Sequence, residues 1–423
     1  MFFPGSQIEH LMHLLLFEDA RASDLLPLTY FRPTFDLRLG AFTFRERAVR
    51  LLKPSGVSVR VRAEMVPLLE EELPRSTSAA IPDGLCVVLR GSLLLTPALA
   101  KTLREGRGEF VITRGGEIVA ARLSGGRLKG RGSAFPLDDE LIRGVPVKKA
   151  DLRVMRHPWE LVHANPACIE SDMAIMGKGK VPRGAVHPKA VILGRRGVRI
   201  GKGAVIDPFA VLDARGGPIL VGEGARIQPH VYVEGPCVIG ENSVIKSGAR
   251  IVGGSTIGPS CRVGGEVGHS IFHSYVNKQH DGFVGHSYLS PWVNLGAGTT
   301  TSNLKNTYGS IRVRRGGEQV DTGVMFAGLF TGDHVKTGIN MSLDTGTIMG
   351  PVANLYGPGL PPKEVPAFSW GEPASIGEYD PEKALLVASR AMSRRGVKVS
   401  PAYEALFRRV FIQTSHDRSP SSR

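Results

Sequence analysis

An aliphatic residue returns at every sixth position over a long stretch of the chain: Val221, Ile227, Val233, Ile239, Ile245, Ile251, Ile257 and Val263. Four residues after each of the first seven comes a compact side chain: Ala225, Val231, Cys237, Ser243, Ala249, Ser255 and Cys261. Polar residues and glycines fill the remaining positions. A period of six fits neither the alternation of an ordinary strand nor the pitch of a helix. It fits a triangular coil in which six residues form one flat side and about three repeats make a turn. The aliphatic residue fills the axis, the compact one fits the corner, and stacked coils pair strand on strand. The pattern therefore predicts a left-handed parallel β-helix. An earlier run, Ile200, Ile206 and Leu212, extends it backwards. The nine-residue step from Leu212 to Val221, through Arg215-Gly216-Gly217-Pro218, predicts a corner loop. The phase breaks between His269 and Asp281, then returns at Leu289 and Leu295 and again at Val335 and Met341. Breaks in a solenoid are corner loops, which often carry function.

Before the repeats the pattern changes. Leu11 to Phe17 reads as a first buried strand and Phe44 to Leu52 as a helix ending before Pro54. Cys86 to Leu89 reads as a short buried strand. Thr96 is the expected N-cap of a helix that starts at Pro97 and runs through Leu103. Phe110–Ile112 and Glu117–Ala120 form a hairpin across Thr113 to Gly116. This alternation predicts an α/β N-terminal domain over 1–155. A linker helix follows within 156–179, with Pro158 to Asp172 as its body. The β-helix occupies 180–356, an extended proline-rich arm with short C-terminal helices 357–412, and a disordered tail 413–423. The helices are expected at Pro381 to Arg394 and Tyr403 to Ile412.

Composition adds limits. The 423 residues are 42% hydrophobic, with 52 glycines, as suits a globular protein containing a large solenoid. The four cysteines have no paired spacing, and Cys237 and Cys261 fall on the corner phase, so neither a disulfide framework nor a zinc ribbon is expected. No stretch reads as a transmembrane segment or a signal peptide, and a cytoplasmic location is expected. The net charge of +14 favours anionic partners. No nucleic-acid-binding module accompanies it, so phosphate-bearing small molecules are the expected ligands.

Titratable groups concentrate in the phase break and just after it. Asn277-Lys278-Gln279-His280-Asp281-Gly282-Phe283 is followed by Val293-Asn294-Leu295-Gly296-Ala297-Gly298-Thr299 and then Asn303. These motifs resemble those of the bifunctional N-acetylglucosamine-1-phosphate uridyltransferase / glucosamine-1-phosphate acetyltransferase family. Other stretches are similar to a divergent, sugar nucleotidyltransferase-like branch of it. They are Leu26-Pro27-Leu28-Thr29, Arg32-Pro33, Leu37-Arg38-Leu39-Gly40, Ser302-Asn303-Leu304-Lys305-Asn306 and Phe368-Ser369-Trp370-Gly371. The resemblance implies an acyl, chiefly acetyl, transferase. Acetyl-coenzyme A would be its cosubstrate, and an amino-sugar phosphate or nucleotide sugar its acceptor. It also implies a homotrimer, a link to UDP-N-acetylglucosamine biosynthesis, and Mg²⁺ for the N-terminal domain. By ungapped register it assigns His280 as catalytic base, Glu266 as its partner, and Arg250 as the holder of the sugar phosphate. It adds Asn294, Asn303 and Lys305 to the substrate contacts, and Gly296, Ala297, Gly298 and Thr299 to the cosubstrate contacts.

The chemistry is coherent. Amine acetylation needs a base and a dipole for the developing oxyanion, and imidazole suits the first task. His286 is the rival base. Arg250 reads equally well as a solvated corner residue, and Asn294 and Asn303 as corner asparagines. His269, His273, His280 and His286 also raise a metal reading, as in γ-class carbonic anhydrases. Those enzymes would not require the Asn294 and Asn303 signature, and no metal ligand is assigned. Two departures from the family stand out. Gly268 occurs where a phosphate-binding lysine is expected. The N-terminal half also lacks the Gly-x-Gly-Thr-Arg loop and has Arg90-Gly91-Ser92 where an acidic metal ligand would stand. Arg32, Arg38 and Arg47 remain as candidate phosphate or nucleotide contacts. Nucleotidyl transfer is expected to be the weaker activity. An active sugar-1-phosphate nucleotidyltransferase and a non-catalytic nucleotide-sugar scaffold are the alternative readings.

Overall fold

The computed structural model describes residues 12–77, 81–129, 142–177 and 185–418. Leu11, residues 180–184 of the expected solenoid and 419–423 of the expected tail lie outside these. The chain divides into two compact units. The first is 1–23, 33–36 and 43–156, and the second is 24–32, 37–42 and 157–423. The N-terminal domain expected over 1–155 is therefore interrupted, because two of its segments pack with the solenoid.

The first unit is built on a mixed six-stranded sheet. His13–Phe17 lies between Gly56–Arg60 and Leu85–Arg90 and runs parallel to both. Glu117–Ser124 pairs antiparallel with Leu85–Arg90 and with Phe110–Arg114, so the expected hairpin is present. Leu15, Phe17, Val88, Val111 and Ala121 form the core of one face. The helix Phe44–Leu52 begins with a capping box: Thr43 Oγ1 accepts the Glu46 amide and the Glu46 carboxylate accepts the Thr43 amide. Such a reciprocal pair satisfies two of the amides that a helix start leaves open. Thr96 caps Pro97–Glu105 in the same sense, accepting the Leu99 amide.

The second unit is a left-handed parallel β-helix. One face stacks nine strands in order from Val198–Ile200 to Glu364–Val365, and neighbouring strands pair in parallel. The eight residues of the six-residue period are 0–3% exposed and join one continuous axial cluster. The compact residues between them are buried too. Many corners adopt the left-handed backbone region without glycine, among them Phe209, His230, His269, Tyr275, His286, Trp292 and His334. That conformation costs roughly 1–2 kcal/mol per residue. Ring stacking across successive coils offsets it: Tyr275 on Trp292 at 4.1 Å, His269 on His286 at 4.8 Å and Phe209 on His230 at 5.2 Å.

The coil does not stop at residue 356. Glu364–Val365 pairs with Thr347–Met349, and Ser369–Glu372 pairs with Asn354–Leu355. Most of the expected arm is thus a further turn, closed by the antiparallel strand Ser375–Glu378. Helices Pro381–Ser393 and Pro401–Gln413 follow as expected. The start of the tail is ordered rather than disordered. Ser415–Arg418 forms a short 3₁₀ turn, and buried Arg418 donates to Thr414 Oγ1 and Glu378.

The helix Pro158–Met176 lies against this unit through two buried polar residues. Asn165 accepts the Gly40 amide at 2.8 Å and donates to the Gly254 carbonyl at 2.9 Å. Asp172 accepts the Ala41 amide at 2.8 Å. These bonds tie segment 37–42 to the solenoid's own unit.

Candidate functional site

Three neighbouring strands of one solenoid face carry Arg250, Glu266 and Phe283 in register. Arg250 and Glu266 approach to 3.9 Å, with side chains 58% and 42% exposed. The His280–Gly282 loop opens beside them. The Glu266 amide donates to the Gly282 carbonyl at 3.1 Å, and the Gly298 amide donates to the Asp281 carbonyl at 3.0 Å. Gly282 has a φ of 116°, and a Cβ there would lie 2.2 Å from the Thr299 carbonyl oxygen, so only glycine fits. Residues 280–282 and 296–299 are therefore clasped together. His280 itself is exposed. The hydrogen bonds among the described residues include none between His280 and Glu266.

Beneath this loop is a residue whose role sequence reading missed. Lys278 pairs in register with Val263, which puts it in an axial slot where the repeat would have an aliphatic side chain. It is 1% exposed. Its ammonium donates to the carbonyl oxygens of Gly264 at 2.8 Å and His280 at 3.0 Å. Burial pushes its pKa down to about 8. The available signal was its place in the six-residue count, obscured by the phase break.

His286 sits at a corner between stacked rings, His269 on one side at 4.8 Å and Phe326 on the other, also at 4.8 Å. Asn303 donates its side-chain N–H to His286 Nδ1 at 2.9 Å. His163 Nε2 contacts the Phe326 carbonyl at 2.8 Å. Burial, reinforced by His269 and His163, lowers the His286 pKa to about 3. A ring that accepts at Nδ1 and stays neutral carries its proton on Nε2. His269, His273, His280 and His286 do not converge as a ligand set. Among the described residues, no group of three or more His, Cys, Asp or Glu is arranged to hold a metal.

The other predicted residues have defined positions. Asn294 is exposed, with its backbone bonded to Val335 and Thr337 in the adjoining coil. The Gly296 amide donates to Thr337 and the Thr299 amide to the Gly296 carbonyl. With Gly298 bonded to Asp281, these three amides are engaged within the coil. That leaves Ala297 as the member of the turn better suited to an outside acceptor. Lys305 donates to the Ser310 carbonyl.

The proposed phosphate contacts fare differently. Arg32 forms a two-point ion pair with Asp333, whose side chain is 2% exposed, so its fork is already occupied by a carboxylate. Arg38 is buried, donating to the Ala41 carbonyl at 2.9 Å, while its amide donates to Tyr288 Oη. Arg47 is buried in helix Phe44–Leu52 of the first unit. None of the three presents an open guanidinium to a phosphate.

In the first unit, ligands would be sought at the carboxyl ends of the parallel strands. Glu18 and Asp19 follow the first strand there, and Arg90 ends its neighbour. Arg90 is almost fully buried and pairs with Asp19 and Glu117, each at 2.8 Å. Glu18 is held by Arg62 at 2.8 Å and accepts the Thr34 amide. A Mg²⁺ ion needs free oxygen ligands. Here the carboxylates are already matched to guanidinium groups, so these residues do not fit the ion.

Comparison with known proteins agrees with the two-part organisation. Residues 14–181 match the family model described as sugar nucleotidyl transferase. Residues 218–253 match the model described as bacterial transferase hexapeptide, six repeats. A bifunctional sugar-1-phosphate nucleotidylyltransferase/acetyltransferase of Sulfurisphaera tokodaii is 32% identical over 146 residues, 33% of this chain and 35% of that protein. The bifunctional protein GlmU of Azoarcus sp. is 35% identical over 109 residues, 25% of this chain and 22% of that protein. The chain thus spans about a third or less of the length of these relatives. The solved structure of an Arabidopsis UDP-N-acetylglucosamine acyltransferase aligns over 57% of this chain and 93% of its own, at 14% identity and a TM-score of 0.25. Two family models thus match this one chain, a sugar nucleotidyl transferase model over 14–181 and a bacterial transferase hexapeptide model within the solenoid.

Proposed function

We propose that the protein transfers an acyl group, chiefly acetyl, from acyl-coenzyme A to the amine of an amino-sugar phosphate or nucleotide sugar. The observation that carries this reading is the clasp between the His280–Gly282 loop and the Gly296–Thr299 turn, beside the Arg250–Glu266 pair. It brings the backbone of the loop that carries exposed His280 beside the strand that carries Glu266, and this supports assigning the imidazole, the carboxylate and the guanidinium to one site. His280 takes the proton from the attacking nitrogen as the new C–N bond forms, and coenzyme A leaves as the thiolate once the tetrahedral intermediate collapses. Glu266 orients the imidazole when the acceptor closes the site. Arg250 meets the acceptor's phosphate with its fork. His286 is the poorer base, because Asn303 occupies its one lone pair and burial holds it neutral. Its part is to shape the corner.

The trimer belongs to the same reading, since flat solenoid faces bury one another three-fold and leave clefts for the donor. Nucleotidyl transfer by the first unit is the secondary activity, given the ion-paired carboxylates around Arg90. No helix of the described residues is long and apolar enough to cross a membrane, and a cytoplasmic location remains part of the proposal. Incubation with acetyl-coenzyme A and glucosamine-1-phosphate, with free thiol as the readout, tests the chemistry. Thiol release that is absent for a panel of amino-sugar phosphates and nucleotide amino sugars would leave the scaffold reading. A sedimentation mass of a monomer would remove the trimer.

A further inference from the structure

A cavity of about 1380 Å³ opens in the second unit, and none of Arg250, Glu266, His280 or His286 lines it. One wall is the hairpin Arg312–Arg315 and Glu318–Asp321, an insertion that leaves the coil after Asn303 and rejoins it at Phe326. The other walls are the last turns of the coil, the segment around Tyr30 and the chain just after helix Pro401–Gln413. The volume exceeds the roughly 300–1,000 Å³ usual for small-molecule sites, so it suits a long or bulky ligand.

Charge is unevenly spread over this lining. Arg312, Arg314, Arg315 and Lys363 face the cavity against two carboxylates, Glu364 and Asp417. Glu364 is committed elsewhere, accepting the amides of Gly316 and Gly317 at the hairpin tip, at 2.5 and 3.1 Å. Those two glycines have φ of 57° and 82°, so their amides form a small anion-binding nest that the chain's own carboxylate fills. Filling it fixes the hairpin over the cavity, with Arg314 held loosely at 4.0 Å from the same carboxylate. Lys363 is paired with Asp344 at 3.2 Å, so Arg312 and Arg314 on the exposed face of the hairpin carry the positive charge of this wall. Arg315 is half-buried and donates to the neutral Asp24 carbonyl at 2.8 Å. Tyr30 is pushed up to about 12 by burial, which keeps its hydroxyl a neutral hydrogen-bond donor. The floor is apolar, lined by Pro366 and by the edge of Ile348, which is 6% exposed.

We propose that this cavity is a binding site for a phosphate ester with an apolar or planar body. The phosphate lies against Arg312 and Arg314, and the body lies on Ile348 and Pro366. Guanidinium forks suit a phosphate's oxygens, and a site of this kind discriminates by its floor as well as its charge. The site does not depend on acyl transfer, so binding alone tests it.

The test is calorimetric titration of the full chain with three probes: uridine monophosphate, octyl phosphate and inorganic phosphate. Saturable binding of at least one ester, tighter than inorganic phosphate, is expected. Whichever ester binds more tightly identifies a nucleotide or a lipid-like source. Arg312→Gln with Arg314→Gln should weaken the ester by about tenfold or more for each cation removed. Both side chains are exposed, so the fold should survive, and circular dichroism checks that it does. Ile348→Ser should weaken octyl phosphate more than inorganic phosphate. The same titrations on Arg250→Gln identify any heat that comes from the candidate acyl-acceptor site, and the heat that remains in that variant is assigned to the cavity. The proposal is overturned if neither ester binds, if the esters bind no better than inorganic phosphate, or if the paired arginine variant keeps wild-type affinity.

Discussion

Asn303 Nδ2 lies 2.9 Å from His286 Nδ1 and donates to it. The bond spans the root of the inserted hairpin and fixes which nitrogen of the imidazole carries the proton. With His269 and Phe326 stacked on its two faces, the ring has no room to take on charge. The unfolded ring titrates near 6.5 and the folded one near 3, so only the unfolded chain gains the proton between those values. Stability is therefore full above about pH 6.5 and falls as the pH drops toward 3. His286→Phe keeps a stacking ring without the titration. Urea unfolding of both proteins at falling pH should show a shallower loss for the variant, and parallel curves would refute the assignment.

Loss of the His280 ring should remove the base. His280→Ala is expected to lower acyl transfer by ~10²–10⁴-fold with little change in coenzyme A affinity. His286→Ala should cost less in turnover and more in thermal stability, since it empties a stacked corner. A larger turnover loss at His286 would transfer the base to that residue.

Lys278 yields a second pH dependence of distinct form. Its folded pKa of about 8 lies below the ordinary 10.5, so burying it costs stability at neutral pH. That cost fades as the pH climbs from about 8 to about 10.5. Lys278→Met removes the penalty and also the bonds to Gly264 and His280. The difference in Tm between the two proteins should therefore shift steadily in favour of wild type through that window. A constant difference would mean that the ammonium is not desolvated.

Ile239→Asp and Ile251→Asp test the axis directly. Both side chains are fully buried in the axial cluster. An unpaired carboxylate there costs several kcal/mol. No soluble folded protein is expected from either. A folded variant, judged by circular dichroism and sedimentation, would contradict the phase.

Arg90 is the corresponding test in the first unit. Its hydrogen bond to Glu117 is the chief reason that carboxyl lies below the usual range. Stability from this pair is present above the ordinary carboxylate pKa and is lost as pH falls through the depressed one. Arg90→Leu should lower stability at neutral pH and flatten that acid limb. In wild type, Mg²⁺-dependent pyrophosphate release from UTP and a sugar-1-phosphate should be slower than acyl transfer. A rate equal to it or faster would show that the arginine-rich strand ends replace the glycine loop.

The axis was legible because one slot repeats with the same demand in every coil, and only an aliphatic side chain meets that demand cheaply. The cap at Thr96 was legible, since the rules for helix starts are local, whereas the helix Phe44–Leu52 was read without the capping box at Thr43. Lys278 was not, because nothing local says that an amine occupies the axial slot left by a broken repeat. The Asn303–His286 bond joins residues 17 apart through a corner whose geometry depends on the insertion between Leu304 and Phe326. The last turn, Glu364–Glu372, was hidden by prolines that read as an extended arm.

The pairing of Arg32 with Asp333 has a consequence for how such a gene can be rearranged. A break near residue 155 looks like the natural seam between two modules. Yet a fragment starting there would carry Asp333 without its guanidinium, and Tyr288 without the Arg38 amide that donates to its hydroxyl. Recombination at that seam would leave a buried charge stranded in the downstream product. The two parts of the gene are then expected to be inherited as one piece.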